Sequence, residues 1–446
     1  MKISISNFRI ILYNPIIERL FMKKKLLYDT YEKPPFMEML ILAFQHVFAM
    51  FGATILAPVL INRAAGMEVI SISTALLASG VGTLIYLLCT KGKSPVYLGS
   101  SFSFITPIVL AYQKGGLSGF ATGIITVGLI YVVIACIVKK AGTKWLNQLL
   151  PPVVIGPMIL IIGLSLAPNA ISQIGLTGDS ILWKEFLVAL VSFIVTVGIA
   201  IYAKGFLKVI PFLMGILVGY LLSICLGIVD FTPLKDTSIL SLPRVLLPLK
   251  DYGFSLVGLV TIAPIAFVII TEHIGDHMAL SSIIDKDLMK DPGLDKTILG
   301  DGLATTVAGL MGAPANTTYG ENTSVVGMSK VASTWVIGCA AILSILLSFL
   351  EIVAGVFSTI PAPVLGGVSL ILYGFISING LKVLIEKKVD YANLKNVIIT
   401  STMLILGLGG AIIPIHIGDV SVPITGISLA AIIGIILNLI LKPNKE

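Results

Sequence analysis

Three carboxylates stand where a carboxylate is expensive. Glu272 and Asp276 fall inside one apolar segment of the chain, and Glu321 falls at the start of another. Glu272 and Asp276 are four residues apart, so a helix carries both on one face, about one turn apart. Ionisable groups at bilayer depth are costly and usually mark a substrate or proton pathway. No Lys or Arg lies in the segment of Glu272 and Asp276 to make them a structural ion pair. Two like charges on one face resist double ionisation, which makes one of them a candidate proton carrier.

Glu321 belongs to the polar stretch Gly312-Ala-Pro-Ala-Asn-Thr-Thr-Tyr-Gly-Glu-Asn-Thr-Ser-Val325, which Pro314 and Gly320 interrupt. Irregular polar backbone between apolar segments persists at membrane depth only where it lines a protein cavity. Gly320 lets a ligand approach the backbone closely. A half-helix starting there aims unpaired N–H groups and a positive dipole end at the cavity. Ser100-Ser-Phe102-Ser103 is expected to do the same from another segment. Amide donors from two sides facing carboxylate acceptors suit a flat, neutral ligand edged with carbonyls and N–H groups, such as a nucleobase. An anion would be repelled. His46 and His273 sit on apolar faces beside this region, where a hydrogen-bonded core residue is the ordinary reading and a proton relay the sharper one. Tyr373, in Leu372-Tyr-Gly374, is a packing aromatic or a side chain that closes over a ligand.

The elements that position these residues follow from composition. Of 446 residues, 56% are hydrophobic and 12% charged, and mean hydropathy is +1.02. Soluble domains carry roughly 25% charged residues. Apolar runs recur along the whole length, which defines an all-α, polytopic membrane protein. About fourteen segments are expected, near 37–61, 69–90, 96–112, 118–138, 146–167, 181–203, 207–228, 253–278, 298–312, 320–333, 334–356, 362–384, 394–413 and 420–441. The third, ninth and tenth are short for a full crossing. Counting loops from a cytoplasmic N-terminus puts 17 Lys on one side and 6 Lys or Arg on the other, so both termini are expected in the cytoplasm. The net charge of +7 is therefore membrane topology and not a nucleic-acid patch. Residues 1–35 form an N-terminal tail, and Met22-Lys-Lys-Lys25 looks like a natural start, leaving 1–21 either untranslated or a surface tail.

The two halves echo each other. Leu150-Pro-Pro-Val-Val-Ile-Gly156 matches Ile360-Pro-Ala-Pro-Val-Leu-Gly366, Ser100-Ser-Phe102 matches Thr317-Thr-Tyr319, and Gln45-His46 matches Glu272-His273. These place segments one to seven (36–228) and eight to fourteen (252–441) in two repeats. Seven spans each means opposite orientations, a pattern found in transporters whose broken helices hold the substrate near the midplane. The four cysteines, Cys89, Cys136, Cys225 and Cys339, lack metal-ligand spacing and read as packing residues. No nucleotide-binding loop, dinucleotide fingerprint or His/Cys metal cluster is found. Enzymology and cofactors are therefore not expected, and transport must draw on an ion gradient or run downhill.

At these residues the chain resembles the bacterial uracil permeases of the nucleobase–cation symporter family, also called nucleobase–ascorbate transporters. The resemblance is carried by Gln45-His-Val-Phe-Ala-Met-Phe-Gly-Ala-Thr54, Tyr97-Leu-Gly-Ser-Ser-Phe-Ser-Phe104, Glu272-His-Ile-Gly275 and Asp291-Pro-Gly-Leu294. It is carried further by Asn316-Thr-Thr-Tyr-Gly-Glu-Asn322 and Gly366-Gly-Val-Ser-Leu-Ile-Leu-Tyr-Gly374, and it runs from about residue 34 to the C-terminus. It implies two inverted repeats divided into a core domain (segments 1–4 and 8–11) and a gate domain (5–7 and 12–14). Short strands would precede half-helices in segments three and ten. It also implies a base held by Glu272, Glu321 and the amides of Phe102 and Gly320, with Asp276, Tyr319, Tyr373, His46 and Ser101 nearby or in proton coupling. Elevator-type uptake of uracil across the plasma (inner) membrane, driven by protons, and a homodimer formed through the gate domain complete the expectation. One position departs from the pattern: four residues after Glu272 the uracil branch has His, whereas Asp276 is more like the xanthine and urate branch. A purine permease is therefore the alternative. An anion exchanger or channel on the same scaffold is a weaker one, since it calls for a basic residue where Glu321 stands.

Overall fold

In the structure, a computed structural model, residues 26–176, 182–235, 237–246, 253–417 and 420–441 are described. The expected start at Met22, the residue 1–21 tail and the placement of both termini lie outside them. The principal helices are α1 (Phe36–Ala65), α2 (Ile72–Cys89), α3 (Ile105–Ala141), α4 (Pro152–Ser165), α5 (Ala167–Gln173), α6 (Trp183–Tyr202) and α7 (Pro211–Cys225). They continue with α8 (Leu256–Ile262), α9 (Ile265–Ile284), α10 (Leu294–Met311), α11 (Gly320–Ser329), α12 (Thr334–Ser348), α13 (Glu351–Ser358), α14 (Ala362–Glu386), α15 (Leu394–Leu408) and α16 (Gly426–Ile440).

Among the described residues six helices are long and apolar enough to cross a membrane, and two bent pairs raise that to eight. The pairs are α8 with α9, bent by 41°, and α12 with α13, bent by 75°. Pro264 stands between the first two, where its missing N–H and ring interrupt the helical ladder. The helical stretch from Phe102 to Ala141 has 40 residues. At 1.5 Å per residue a straight helix of that length would reach about 60 Å, twice the hydrocarbon thickness. It does not run straight: Gly116, at φ 59° and ψ −154°, breaks it in a conformation glycine adopts at little cost. The expected third and fourth segments are the two arms.

Two three-residue strands, β1 (Leu98–Ser100) and β2 (Asn316–Thr318), pair antiparallel with Leu98 opposite Thr318 and Ser100 opposite Asn316. All six residues are buried. Each strand leads into a helix: β1 into a 3-10 turn at Phe102–Phe104 and then α3, β2 into α11. Gly99 makes the pairing possible, because a Cβ there would run into the Tyr319 ring and the Thr54 hydroxyl.

Two expectations need correction. Besides the strands expected in segments three and ten, residues expected to end segment thirteen and begin segment fourteen form a hairpin, β3 (Ile412–Ile417) paired with β4 (Val420–Thr425). Gly409 and Gly410 stop α15, and the β-branched Ile, Val and Thr that follow prefer extended backbone. Pro414 and Pro423 oppose each other in this two-stranded ladder, which tolerates them because both strands are edges. The tally of buried acids was also short. Asp301, inside the ninth segment, is fully buried on α10.

The basic end of the bundle is clipped by the segment before α1. Leu27 N donates to Lys330 O at 2.7 Å, Ala332 N to Tyr28 O at 2.8 Å and Thr334 N to Thr30 O at 3.0 Å. Lys286 reaches Asp29 at 2.6 Å. These bonds tie the start of α1 to the ends of α9 and α11 and the start of α12.

Candidate functional site

The site is built where β1 and β2 cross in front of α9. Thr318, the last residue of β2, donates from Oγ1 to Asp276 Oδ2 at 2.5 Å. Glu272 lies one turn earlier on the same helix, with the Ser103 hydroxyl beside it. Glu321 is in the first turn of α11. The three acids are half-buried, whereas Gly275 and Gly320 are exposed, so the carboxylates line an open region instead of a sealed core.

Phe102 and Gly320 occupy the first positions of their helices. An amide there has no intrahelical acceptor, and among the described residues neither makes another backbone hydrogen bond. Ser101 differs: its amide donates to Ala315 O at 3.0 Å, and the residue is buried. It therefore serves the strand crossing and not the opening. A Cβ added at Gly320 would meet nothing within 4 Å, so the opening lies directly against that backbone.

Tyr319 fixes the crossing. Its hydroxyl donates to Ser100 O at 2.9 Å and accepts from Thr54 Oγ1 at 3.1 Å, and its amide donates to Tyr97 O at 3.2 Å. Asn322, the residue after Glu321, donates from Nδ2 to His46 Nδ1 at 3.1 Å. That bond makes Nδ1 of His46 the acceptor and leaves its proton on Nε2. His46, 1% exposed, is thus a tie between α1 and α11. His273 faces away from the opening and pairs with Asp301 through Nδ1 and Oδ2, 2.9 Å apart.

Tyr373 stands on α14, 2% exposed, with Ser369 and Asn169 as the polar side chains beside its hydroxyl. The fold therefore gathers Glu272, Asp276, Glu321, Phe102, Gly320, Tyr319 and Ser101, puts His46 behind α11, and leaves Tyr373 without a hydrogen bond to this group. Sequence reasoning missed Thr318, Asn322 and Asp301. The first two are ordinary polar residues whose roles exist only through the crossing. Asp301 was findable by counting acids within the ninth segment. Among the described residues no group of three or more His, Cys, Asp or Glu is arranged to hold a metal.

Apolar helices, broken spans and acids lining an opening define a multi-pass membrane protein of the carrier kind. The sequence profile of the xanthine/uracil permease family matches residues 37–416, and the chain belongs to that family. The uracil permease of Bacillus subtilis (strain 168) is 43% identical over 431 residues, covering 95% of this chain and 97% of the relative. The uracil permease of Escherichia coli (strain K12) is 44% identical over 420 residues, covering 92% and 93%. Among solved structures, the transmembrane domain of the cyanobacterial bicarbonate transporter BicA superposes with a TM-score of 0.60 at 16% identity, covering 91% of this chain and 99% of that one. At that identity the likeness speaks of fold alone.

Proposed function

We propose that this chain takes up uracil across the plasma (inner) membrane, coupled to protons, by elevator-type alternating access. The observation that carries the reading is the β1–β2 crossing. It brings two helix N-termini, at Phe102 and Gly320, to the α9 face that bears Glu272 and Asp276. Uracil offers two N–H donors and two carbonyl acceptors on one flat edge. Glu272 and Glu321 accept from the N–H groups, and the amides of Phe102 and Gly320 donate to the carbonyls. Charge-assisted hydrogen bonds of this kind are the strong ones. Asp276 and Glu272 share the coupling proton. Tyr319 and Ser101 hold the crossing, His46 braces α11, and Tyr373 closes from the opposite wall.

The wider architecture in this reading has fourteen segments in two inverted repeats, 36–228 and 252–441. The core domain holds segments 1–4 and 8–11 and the gate domain segments 5–7 and 12–14. Both termini are cytoplasmic, and two copies associate through the gate domain. The full-length relatives named uracil permease support the substrate. A purine such as xanthine is the second reading, favoured only by Asp276.

Titration of the purified protein with uracil, thymine, 5-substituted uracils and xanthine at two pH values tests this. Uracil is expected to bind most tightly, with an affinity that changes between the two pH values. Preferential binding of xanthine would replace the pyrimidine reading with the purine one. Uptake into proteoliposomes that ignores a collapsed proton gradient would remove the coupling.

A further inference from the structure

Behind the α9 face that carries Glu272 and Asp276 lies a second set of buried polar groups that the site does not use. Asp301 and His273 are 0% and 1% exposed, and His273 Nδ1 meets Asp301 Oδ2 at 2.9 Å. Each keeps spare capacity: among the described residues Asp301 Oδ1 and His273 Nε2 are buried without a partner, and so is the Tyr131 hydroxyl. Buried polar atoms are almost always partnered, so three orphans in one region are unusual. Two tyrosines flank Asp301. A Cβ on Gly302 would lie 2.7 Å from Tyr131 Cβ, and one on Gly300 would lie 2.9 Å from the Tyr86 ring.

The other imidazole gives the region a direction. His277 stacks on His273 with ring centroids 4.1 Å apart, and its Nδ1 donates to His273 O at 2.7 Å. Its Nε2 is then the acceptor, so the Tyr86 hydroxyl, 2.5 Å away, donates to it. Ser94 Oγ lies 2.9 Å from the same hydroxyl. The line ends one residue from the exposed Lys93–Asp291 pair at the basic end. It fixes the tautomer of His277 and presses that ring against His273. The titratable groups around the pair are Glu272, Asp276 and His277 on α9 itself, Tyr86 on α2 and Tyr131 on α3.

We propose that the His273–Asp301 pair is a second proton-holding site, which takes the coupling proton from Glu272 when the base arrives. The inference rests on the uracil–proton reading above. With neutral His273 donating from Nδ1–H to ionised Asp301, the pair carries one negative charge. Transfer breaks the Glu272 carboxyl O–H bond and forms an O–H bond at Asp301 Oδ1, so the charge moves to Glu272 and no other reactant is consumed. Glu272 is left ionised to accept from a uracil N–H, and the buried pair becomes neutral, the cheaper state in a dry site. His277, Tyr86 and Ser94 are positioning residues.

Asp301→Asn keeps the shape and an acceptor for His273 but cannot take the proton. In proteoliposomes this variant is expected to bind uracil within about threefold of the unmodified protein, and to exchange uracil at equilibrium. Stimulation of its uptake by an inward proton gradient is expected to be lost, and the pH profile of uptake to flatten. Gradient stimulation and a pH profile equal to those of the unmodified protein would overturn the proposal. Asp301→Glu is the guard against misfolding: it restores a protonatable group, so proton-driven uptake should return with a displaced pH midpoint, and an undisplaced midpoint would overturn the proposal equally. Failure of the unmodified protein to bind uracil would instead strike the functional reading, which keeps the two failures apart.

Discussion

Tyr319→Phe removes one oxygen from the point where two distant parts of the chain are joined. The hydroxyl makes two buried hydrogen bonds, to Ser100 O and from Thr54 Oγ1, with Tyr319, Ser100 and Thr54 at 4%, 1% and 0% exposure. Each neutral bond contributes about 1 kcal/mol net, and a buried group left without a partner costs about 1–3 kcal/mol. Thr54 keeps Met50 Sδ at 3.3 Å as a second partner, so most of that penalty falls on the Ser100 carbonyl. The total is about 3 kcal/mol, which should lower the thermal midpoint of the detergent-solubilised protein by several degrees. Loosening the crossing also frees the amides of Phe102 and Gly320 from their mutual alignment, and uracil affinity should fall about tenfold, worth about 1.4 kcal/mol. Thr54→Val breaks only one of the two bonds and should cost about half as much. The pair of variants and their double mutant form a cycle whose coupling term should be near 1 kcal/mol. A Tyr319→Phe protein with the parent's thermal midpoint and uracil affinity would refute the view that this hydroxyl holds the site together.

Three further outcomes follow from the same geometry. Glu272→Ala and Glu321→Ala should each abolish uracil uptake while the protein still inserts, since each removes a charge-assisted acceptor worth about 1.5–3 kcal/mol; normal uptake by either variant would exclude that residue from the site. Gly99→Ala places a Cβ against Tyr319 and Thr54, and should cost about 1–3 kcal/mol by overpacking; an unchanged thermal midpoint would show slack in the crossing. At Asp29 burial works to raise the carboxyl, but hydrogen bonds from Lys286 and Thr30 carry it below its ordinary value of 3.8. A carboxyl depressed by folding contributes fully above its unfolded value and loses that contribution as pH falls through the folded one. The clip of residues 27–30 on 330–334 should therefore hold at neutral pH and loosen only below about pH 3.8. Amide exchange at Leu27 and Ala332, corrected for intrinsic rates, reads this, and exchange that accelerates already at pH 6 would contradict it.

Much of the candidate site was legible along the chain. The polar break at 312–325, its glycine and its carboxylate announce a helix start inside apolar surroundings, and α11 begins at Gly320. The four-residue spacing of Glu272 and Asp276 needs only helical periodicity. Thr318 and Asn322 were not legible, since a hydroxyl and an amide acquire a role only from what stands opposite them. Asp301 illustrates a different loss. It was present in the letters, but its meaning comes from His273, 28 positions earlier. The hairpin at 412–425 was hidden because its apolar, β-branched residues extend the hydropathy of the helices on either side. Short apolar runs do not separate strand from helix by periodicity alone.

By itself, then, the sequence determined what must be buried: long apolar helices with a few acids and two polar interruptions, because transfer from water to hydrocarbon is a property of each residue and sums locally. Only the tertiary structure decided which interruption meets which. Leu98 faces Thr318, Tyr319 reaches Ser100 across 219 positions, and Asn322 reaches His46 across 276. Hydrogen bonds are short and directional, so partnership depends on where the fold brings two atoms, and no local pattern encodes that. The same holds for the buried His273–Asp301 pair, whose two members are separately unremarkable and whose chemistry begins at 2.9 Å.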